Sequence, residues 1–177
     1  MGLAALLTVF VVSPALAQGT IPQWNWTLLS VDSEDLEGGY YAAVNAFDGD
    51  PTTMWVTQWY SASPLPPHEI VIDLGAQYNV NGFRYLPRQD GESSGNIAQY
   101  AFYVSANGSS WGSPVAQGSF ANVASEQQVS FAPRTGQYIR LRAFSEVDPD
   151  YLTSQVWMFH HGPRTTLTLK SPEMFEP

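Results

Sequence analysis

Residues 69–86 read EIVIDLGAQYNVNGFRYL and contain two short segments, 69–74 and 80–86, in which apolar and polar side chains alternate. Alternation with a period of two is typical of a β-strand that lays one face against a core. The same pattern recurs at residues 99–105, 126–131 and 137–143. These segments predict an all-β fold.

Residues that favour tight turns separate the predicted strands. The turn segments are Asn79 to Gly82, Asp90-Gly91, Asn107-Gly108 and Pro133 to Gly136. No stretch after residue 17 shows sustained helical periodicity. Many short strands with Gly and Pro turns indicate a sandwich or a barrel. Six Trp, nine Tyr and nine Phe supply buried area for such a core and leave rings for a binding surface.

The N-terminus has the layout of a secretory signal peptide. Residues 3–12 are apolar apart from Thr8, and PALA at 14–17 offers a small-residue cleavage site before Gln18. We therefore expect a signal peptide over residues 1–17, a secreted protein and no transmembrane segment in the mature chain. The alternative is an uncleaved anchor close to a membrane.

The amino-acid composition, which lacks Cys and is acidic, indicates which kinds of partner the chain can bind. The chain has no Cys, so its core must hold the fold without disulfides. Seven basic residues stand against sixteen acidic ones, a net charge of −9, and no run of Lys or Arg occurs. Nucleic acids and anionic membranes both require clustered positive charge, so neither is an expected partner. Neutral polar ligands or cations suit the chain better.

Two Asn-x-Ser/Thr sequons are candidate N-glycosylation sites in a eukaryotic host. They are Asn25-Trp26-Thr27 and Asn107-Gly108-Ser109.

An ordered series of motifs resembles the discoidin-like, coagulation-factor type C family. The motifs are AFDGDPTTMW (46–55), PHEIVIDLG (67–75), GFRYLPRQ (82–89) and YIRLR (138–142), within a resemblance covering roughly residues 24–154. The segments LPRQ (86–89) and NIAQY (96–100) are most similar to family 32 carbohydrate-binding modules. The resemblance implies a jelly-roll β-sandwich of about eight main strands over residues 18–155, with ligand-binding loops at one end and no catalysis. Residues 156–177 lose the alternation and are predicted to form a loosely ordered tail.

Four residues fall at positions where the family carries sugar-contacting groups. The resemblance implies Glu34 in the first loop, Trp59 as the stacking platform, Arg88 as a bidentate donor and Asn96 as its amide partner, with Tyr60 as a weaker neighbour. A sugar site needs an aromatic face and a few polar groups. The alternative roles are a rim aromatic for Trp59 and surface ion pairs for the charged residues.

Val56 is the main departure from the family pattern. It stands where galactose-binding relatives carry a His, within WVTQW at residues 55–59. The loss of one hydrogen-bond partner costs about 1 to 3 kcal/mol, enough to change which sugar fits. The sugar itself is therefore not predicted.

The loop DGDPTT at residues 48–53 offers the hard oxygen ligands that calcium prefers. The resemblance implies a structural calcium held near Asn45, by Asp48, at the Asp50 position and by Thr53. A Glu from the last strand would complete the cage, but the chain there reads QVWM at residues 155–158. The alternative is a simple Asp-Gly turn.

Two further motifs are not expected to act on a ligand. Residues 108–112, GSSWG, match the Gly-x-Ser-x-Gly elbow of serine hydrolases, but that motif works only between a strand and a helix. His68 stands alone before a strand, where a structural role is the more common one.

We therefore predict a monomeric, non-catalytic module that binds neutral glycans. One alternative is an adhesion domain that binds protein or phospholipid through apolar loop tips, although the loops are mostly polar. Another is a piece of an oxidase, whose catalytic domain would not fit after residue 154. A last possibility is that the sequence after Ser154 is not authentic.

Overall fold

A computed structural model describes residues 19–147 and two short strands at 157–159 and 168–170. The predicted signal peptide, residues 1–17, lies outside the described residues. Both short strands fall within the predicted tail, 156–177, whose other residues are also outside the described part. In the described residues, no helix has the length and apolar character needed to span a membrane.

The described residues form nine strands and two short 3₁₀ helices. The strands are β1 (Gly19–Thr20), β2 (Thr27–Val31), β3 (Met54–Val56), β4 (His68–Tyr85), β5 (Ile97–Ser105), β6 (Ala116–Ser119), β7 (Gln127–Glu146), β8 (Trp157–Phe159) and β9 (Thr168–Lys170). The 3₁₀ helices are Gln23–Asn25 and Ala43–Ala46. All five segments predicted as strands from alternation lie in β4, β5 or β7, apart from Leu86 and Glu126 at their ends.

The strand pairs are all antiparallel. β4 and β7 pair along most of their length, β5 lies between β7 and β6, and β2 pairs with the first half of β4. β9 pairs with the second half of β4 and with β1, while β3 pairs with β8.

A bulge bends β4 and places its two halves in two layers. Asp73 pairs with Tyr138, but Tyr78 pairs with Gly136, so residues 74–77 lie opposite a single residue. Gly75 within the bulge has φ +81°. Beyond the bulge, Phe83 of β4 stacks on Phe102 of β5, with ring centroids 4.2 Å apart. β5 pairs with β7 and not with β4, so the two rings meet face to face across the space between two layers. The predicted β-sandwich is confirmed.

The core between the layers is strongly aromatic. Phe120 packs face to face with Tyr85 and Tyr100, at 4.3 and 4.2 Å between centroids. Phe83 completes the cluster against Tyr100 and Phe102. The prediction that most Trp, Tyr and Phe near strands are buried holds for these rings, whereas Trp24 is 80% exposed.

Two of the predicted turns are wrong. Asn79 pairs with Thr135 and Val80 with Arg134, so β4 and β7 run through both segments. A side-chain hydrogen bond from the Thr135 hydroxyl to Asn79 Oδ1 adds to this pairing. The two turn-prone segments lie opposite each other and satisfy each other's backbone groups, which overrides their local preference.

The strand register brings several loops to one end of the sandwich. Val31 pairs with Ile70, His68 with Ala143, and Ile97 with Glu146. Residues 32–42 follow β2, residues 57–67 precede β4 and residues 86–96 precede β5, so all three loops meet at this end, here called the loop end. The opposite end carries Thr27, Asp73, Tyr138 and Ser105, which pair across β2, β4, β7 and β5.

Candidate functional site

All four candidate sugar-contacting residues lie at the loop end. Glu34 is in the first loop, Trp59 in the second, and Arg88 and Asn96 in the third. The placement of these loops together follows from the strand register and agrees with the expectation from the sequence. Arg88, Asn96 and Glu34, however, make hydrogen bonds within the protein, whereas Trp59 packs against the first loop.

Asp35 organises the first loop from within. It is fully buried, and its carboxylate accepts the backbone N–H groups of Glu37 and Gly38 at 3.2 to 3.4 Å. Its own N–H donates to Val56 O at 2.9 Å, which ties the loop to β3. Sequence reasoning missed this residue, although an Asp a few residues before a Gly pair is a typical local capping signal.

Gly38 and Trp59 are packed against each other. A Cβ built on Gly38 would lie 2.8 Å from Trp59 Cζ2 and 2.5 Å from Asp35 Oδ2. The first loop therefore covers part of the Trp59 indole and fixes its position. Trp59 Nε1 is buried and has no hydrogen-bond partner in the described part of the chain.

Tyr60 and Tyr40 are two exposed rings at the loop end, and Tyr60 contacts Trp59. Tyr60 is 66% exposed and stands perpendicular to Trp59, with an interplanar angle of 88° and 6.1 Å between centroids. Tyr40 is 76% exposed and lies two residues beyond Gly38. The sequence reading treated Tyr60 as secondary and missed Tyr40, because exposure in a loop has no sequence signature.

Arg88 is held by its own loop. The residue is 6% exposed, and its guanidinium makes four hydrogen bonds, two to Asp90 and two to Ser94. This contact holds the pKa of Asp90 below its usual range. The structure brings Arg88 and Asn96 together, because Asn96 Oδ1 accepts the Arg88 backbone N–H at 3.1 Å. Arg88 thus forms an ion pair with Asp90, which is the alternative to sugar binding given for Arg88 in the sequence analysis.

Glu34 and Val56 also face inward. Glu34 Oε2 accepts the N–H of Ala43, at the start of the second 3₁₀ helix, at 2.8 Å. Val56 has no exposed surface. The position at which galactose-binding relatives carry a His therefore offers no polar side chain here.

His68 ties the bases of the first two loops together. Its ring is buried, with Nδ1 2.7 Å from Asp32 Oδ2 and Nε2 3.0 Å from Pro64 O. Asp32 also accepts the Glu69 N–H at 2.6 Å. These contacts agree with the predicted structural role.

The loop predicted to bind calcium, residues 48–53, is closed by its own hydrogen bonds. Thr53 Oγ1 lies 2.7 Å from Asp48 Oδ2 and 3.0 Å from Asp50 O, so three oxygens converge. Asp50 instead directs its carboxylate to Thr52, which holds the Asp50 pKa below its usual range. Asn45 turns its amide N–H group to the carbonyls of Tyr40 and Met54.

The donor chemistry of this loop fits calcium, but the number of donors is small. Calcium takes six to eight oxygens. Among the residues that the structure describes, no three His, Asp or Glu side chains form a metal-binding group. β8 pairs with β3, and none of its three residues, Trp157–Phe159, is an Asp or a Glu.

Both sequons lie at the end opposite to the loop end. Asn25 is exposed just before β2, and Asn107 is exposed just after β5. The side-chain Oδ1 of Asn107 accepts the backbone N–H groups of Ser109 and Ser110, at 3.1 and 2.9 Å. Residues 108–112 thus form a turn between two strands, which is not the strand-to-helix setting that a serine nucleophile requires.

Comparison with known proteins assigns the family. The F5/8 type C domain model matches residues 30–156. The chain belongs to the F5/8 type C domain family. This domain is 38% identical over 129 residues to a sialidase of Micromonospora viridifaciens, covering 72% of the chain and 20% of the sialidase. It is 41% identical over 111 residues to galactose oxidase of Gibberella zeae, covering 62% of the chain and 16% of the oxidase.

Solved structures of family 32 carbohydrate-binding modules share the architecture. The Clostridium perfringens module CpGH89CBM32-5, in complex with GalNAc-β-1,3-galactose, superposes with a TM-score of 0.70 at 28% identity. The match covers 78% of this chain and 94% of that one. The F5/8 type C domain therefore corresponds to nearly the whole of a binding module and to a small part of each enzyme relative.

Proposed function

We propose that this F5/8 type C domain is a non-catalytic module that binds neutral glycans through its loop end. The observation that carries the proposal is the group of aromatic rings at that end, where Trp59 is fixed by the first loop and Tyr60 is exposed beside it. The faces of such rings suit the apolar C–H side of a sugar. The similar module from Clostridium perfringens carries a disaccharide.

The charge of the loop end favours neutral glycans. Glu34, Glu37, Asp90 and Glu92 all belong to its loops, and the net charge of the chain is −9. Such a surface repels polyanions and anionic lipids. The leader over residues 1–17 supports secretion, which would bring the module to extracellular glycans.

The test is retention on immobilised neutral polysaccharides, with Trp59→Ala as the site variant and Trp24→Ala as its control. Trp24 is also an exposed Trp, but it lies just before β2 at the opposite end. We expect the wild type and Trp24→Ala to be retained and Trp59→Ala to be lost. Equal retention of both variants, or no retention of the wild type on any neutral glycan, would overturn the proposal.

We also propose a structural calcium at residues 48–53, held by Asp48, Thr53 and the Asp50 carbonyl, with further ligands from the backbone near Asn45. Binding would replace the hydrogen bond between Thr53 and Asp48 with contacts to the ion. Calorimetric titration of chelated protein should then give heat, and calcium should raise Tm. No heat and an unchanged Tm would remove calcium from the site.

A second candidate function is binding of a protein or a phospholipid surface. The loops were expected to be mostly polar, but Leu36 and Leu65 at the loop end are both exposed. An exposed apolar pair is the feature that this candidate requires. Co-sedimentation with neutral phosphatidylcholine vesicles, lost in a Leu36→Ser/Leu65→Ser variant, would favour it over glycan binding.

A further inference from the structure

The polar groups expected to read sugar hydroxyls at the loop end are already used within the protein. Arg88 directs its guanidinium to Asp90 and Ser94, Asn96 Oδ1 accepts the Arg88 N–H, and Glu34 accepts the Ala43 N–H. A ligand hydroxyl could reach the Arg88 guanidinium only by breaking one of its contacts, which is unfavourable because Arg88 is 6% exposed. The site is therefore poor in groups that distinguish one hydroxyl configuration from another.

The aromatic groups, in contrast, remain open. Tyr40 and Tyr60 are among the most exposed large side chains of the described residues. Trp59 is partly exposed and packs against Gly38 of the first loop. These three residues are here called the aromatic rim. Rings of this kind contact sugars through their faces, which demand little of the hydroxyl pattern.

The geometry of the rim fits more than one sugar unit. Trp59 and Tyr60 stand at 88° to each other, with 6.1 Å between their centroids. A pyranose that lies flat on one of these rings cannot lie flat on the other. The second ring is therefore placed to take a neighbouring unit of the same chain.

We propose that the aromatic rim binds a neutral oligosaccharide chain across two or more sugar units, by stacking, with little discrimination between the gluco and galacto configurations. The proposal rests on the proposed glycan-binding function and specifies its ligand. Burial of Val56 agrees with it, because the position that carries a His in galactose-binding relatives contributes no hydrogen bond. The acidic residues of the loops restrict the chain to neutral sugars.

The test is calorimetry with neutral β-linked oligosaccharides of one to six units, in a gluco and a galacto series. We expect affinity to rise by about tenfold or more from the monosaccharide to the tetrasaccharide, and to differ by less than about threefold between the series. Tyr40→Ala and Tyr60→Ala should weaken tetrasaccharide binding, whereas Tyr40→Phe and Tyr60→Phe keep the ring and should retain it. Thermal melting checks that each variant is folded.

The outcomes separate this proposal from the function on which it rests. Equal affinity for galactose and for a galacto tetrasaccharide, with Tyr40→Ala and Tyr60→Ala both silent, would mean a single-sugar site and would overturn the oligosaccharide proposal alone. Binding restricted to the galacto series would also overturn it. Absence of binding to any neutral sugar would overturn the glycan-binding function itself.

Discussion

Gly38 is the residue on which the position of Trp59 most directly depends. Its φ lies outside the left-handed region, so space rather than backbone conformation excludes a side chain there. We expect Gly38→Ala to push Trp59 or Asp35 aside and to weaken glycan retention by about tenfold, equivalent to about 1.4 kcal/mol. The measurements are affinity-gel retention and Trp fluorescence.

Gly118→Ala is the matched control for this change. Gly118 lies on β6, where an added Cβ meets only ordinary contacts of 3.4 Å or more. It should leave retention and fluorescence unchanged. If Gly38→Ala behaved in the same way, the first loop would not be what positions Trp59.

Asp90 gives the third loop a pH dependence. Its hydrogen bonds with Arg88 hold the pKa of Asp90 below its usual range. The stabilisation that these bonds give is fully present above the ordinary Asp pKa, about 3.9. It is lost as the pH falls through the lowered pKa of the folded state. We expect Asp90→Asn to lower Tm at neutral pH, by a small amount because Asp90 is exposed, and the difference from wild type to vanish in strong acid. Melting curves across pH, with Glu92→Gln as control, measure this; a difference that persists below pH 2 would contradict it.

At the scale of single residues, the sequence predicted loops that the structure brings together at one end, but it did not predict the contacts of their side chains. Trp59, Arg88 and Asn96 all lie at the loop end, as the family motifs imply. The Arg88 guanidinium donates to Asp90 and Ser94 because the loop of residues 88–96 folds back and brings these residues next to it. Loop closure of this kind is decided by local backbone geometry, which a motif does not encode.

At the scale of elements, alternation located the cores of β4, β5 and β7 because each buries one face. It missed β6, whose residues Ala116–Ser119 are mostly exposed and carry no apolar stripe. It also divided β4 and β7 at turn-prone residues that the structure keeps within strands. Pairing between distant segments decides such cases, and a single sequence does not reveal it.

Tyr85 links two elements through its hydroxyl. The ring lies in the core on β4, and the hydroxyl accepts the Ile97 N–H, at the start of β5, at 2.9 Å. Burial raises the Tyr85 pKa above its usual range, so the hydroxyl stays neutral. Tyr85→Phe should leave that buried N–H without its acceptor and lower the free energy of unfolding by about 1 to 3 kcal/mol.

Urea denaturation measures this change, and Tyr100→Phe is the control within the same cluster. Tyr100 also stacks on Phe120, and its pKa is raised by burial alone. Removal of its hydroxyl should cost less than removal of the Tyr85 hydroxyl. The opposite order would show that the bond to Ile97 is not what fixes the start of β5.

At the scale of the whole molecule, the sandwich separates two surfaces. The loop end carries Trp59, Tyr40 and Tyr60, whereas both sequons lie at the other end, so glycans attached at Asn25 or Asn107 would leave the aromatic rim accessible. Because β2, β4, β5 and β7 all reach the loop end, its position depends on the sheet and not on any disulfide.

The pairing of β3 with β8 is the clearest case of such long-range dependence. The family match ends at residue 156, yet Trp157–Phe159 pairs with Met54–Val56, the strand that leads from residues 48–53 to Trp59. A chain that ends at residue 156 should therefore have a lower Tm and weaker glycan retention, because β3 loses β8 and β4 loses β9. Each backbone hydrogen bond contributes about 0.5 to 1.5 kcal/mol. A chain that ends at Lys170 keeps both C-terminal strands and is the matched control. Thermal melting and affinity-gel retention of the two truncations decide the matter: if the shorter chain matched the longer one in both, β8 would not support the site, and the loop end would rest on β2, β4, β5 and β7 alone.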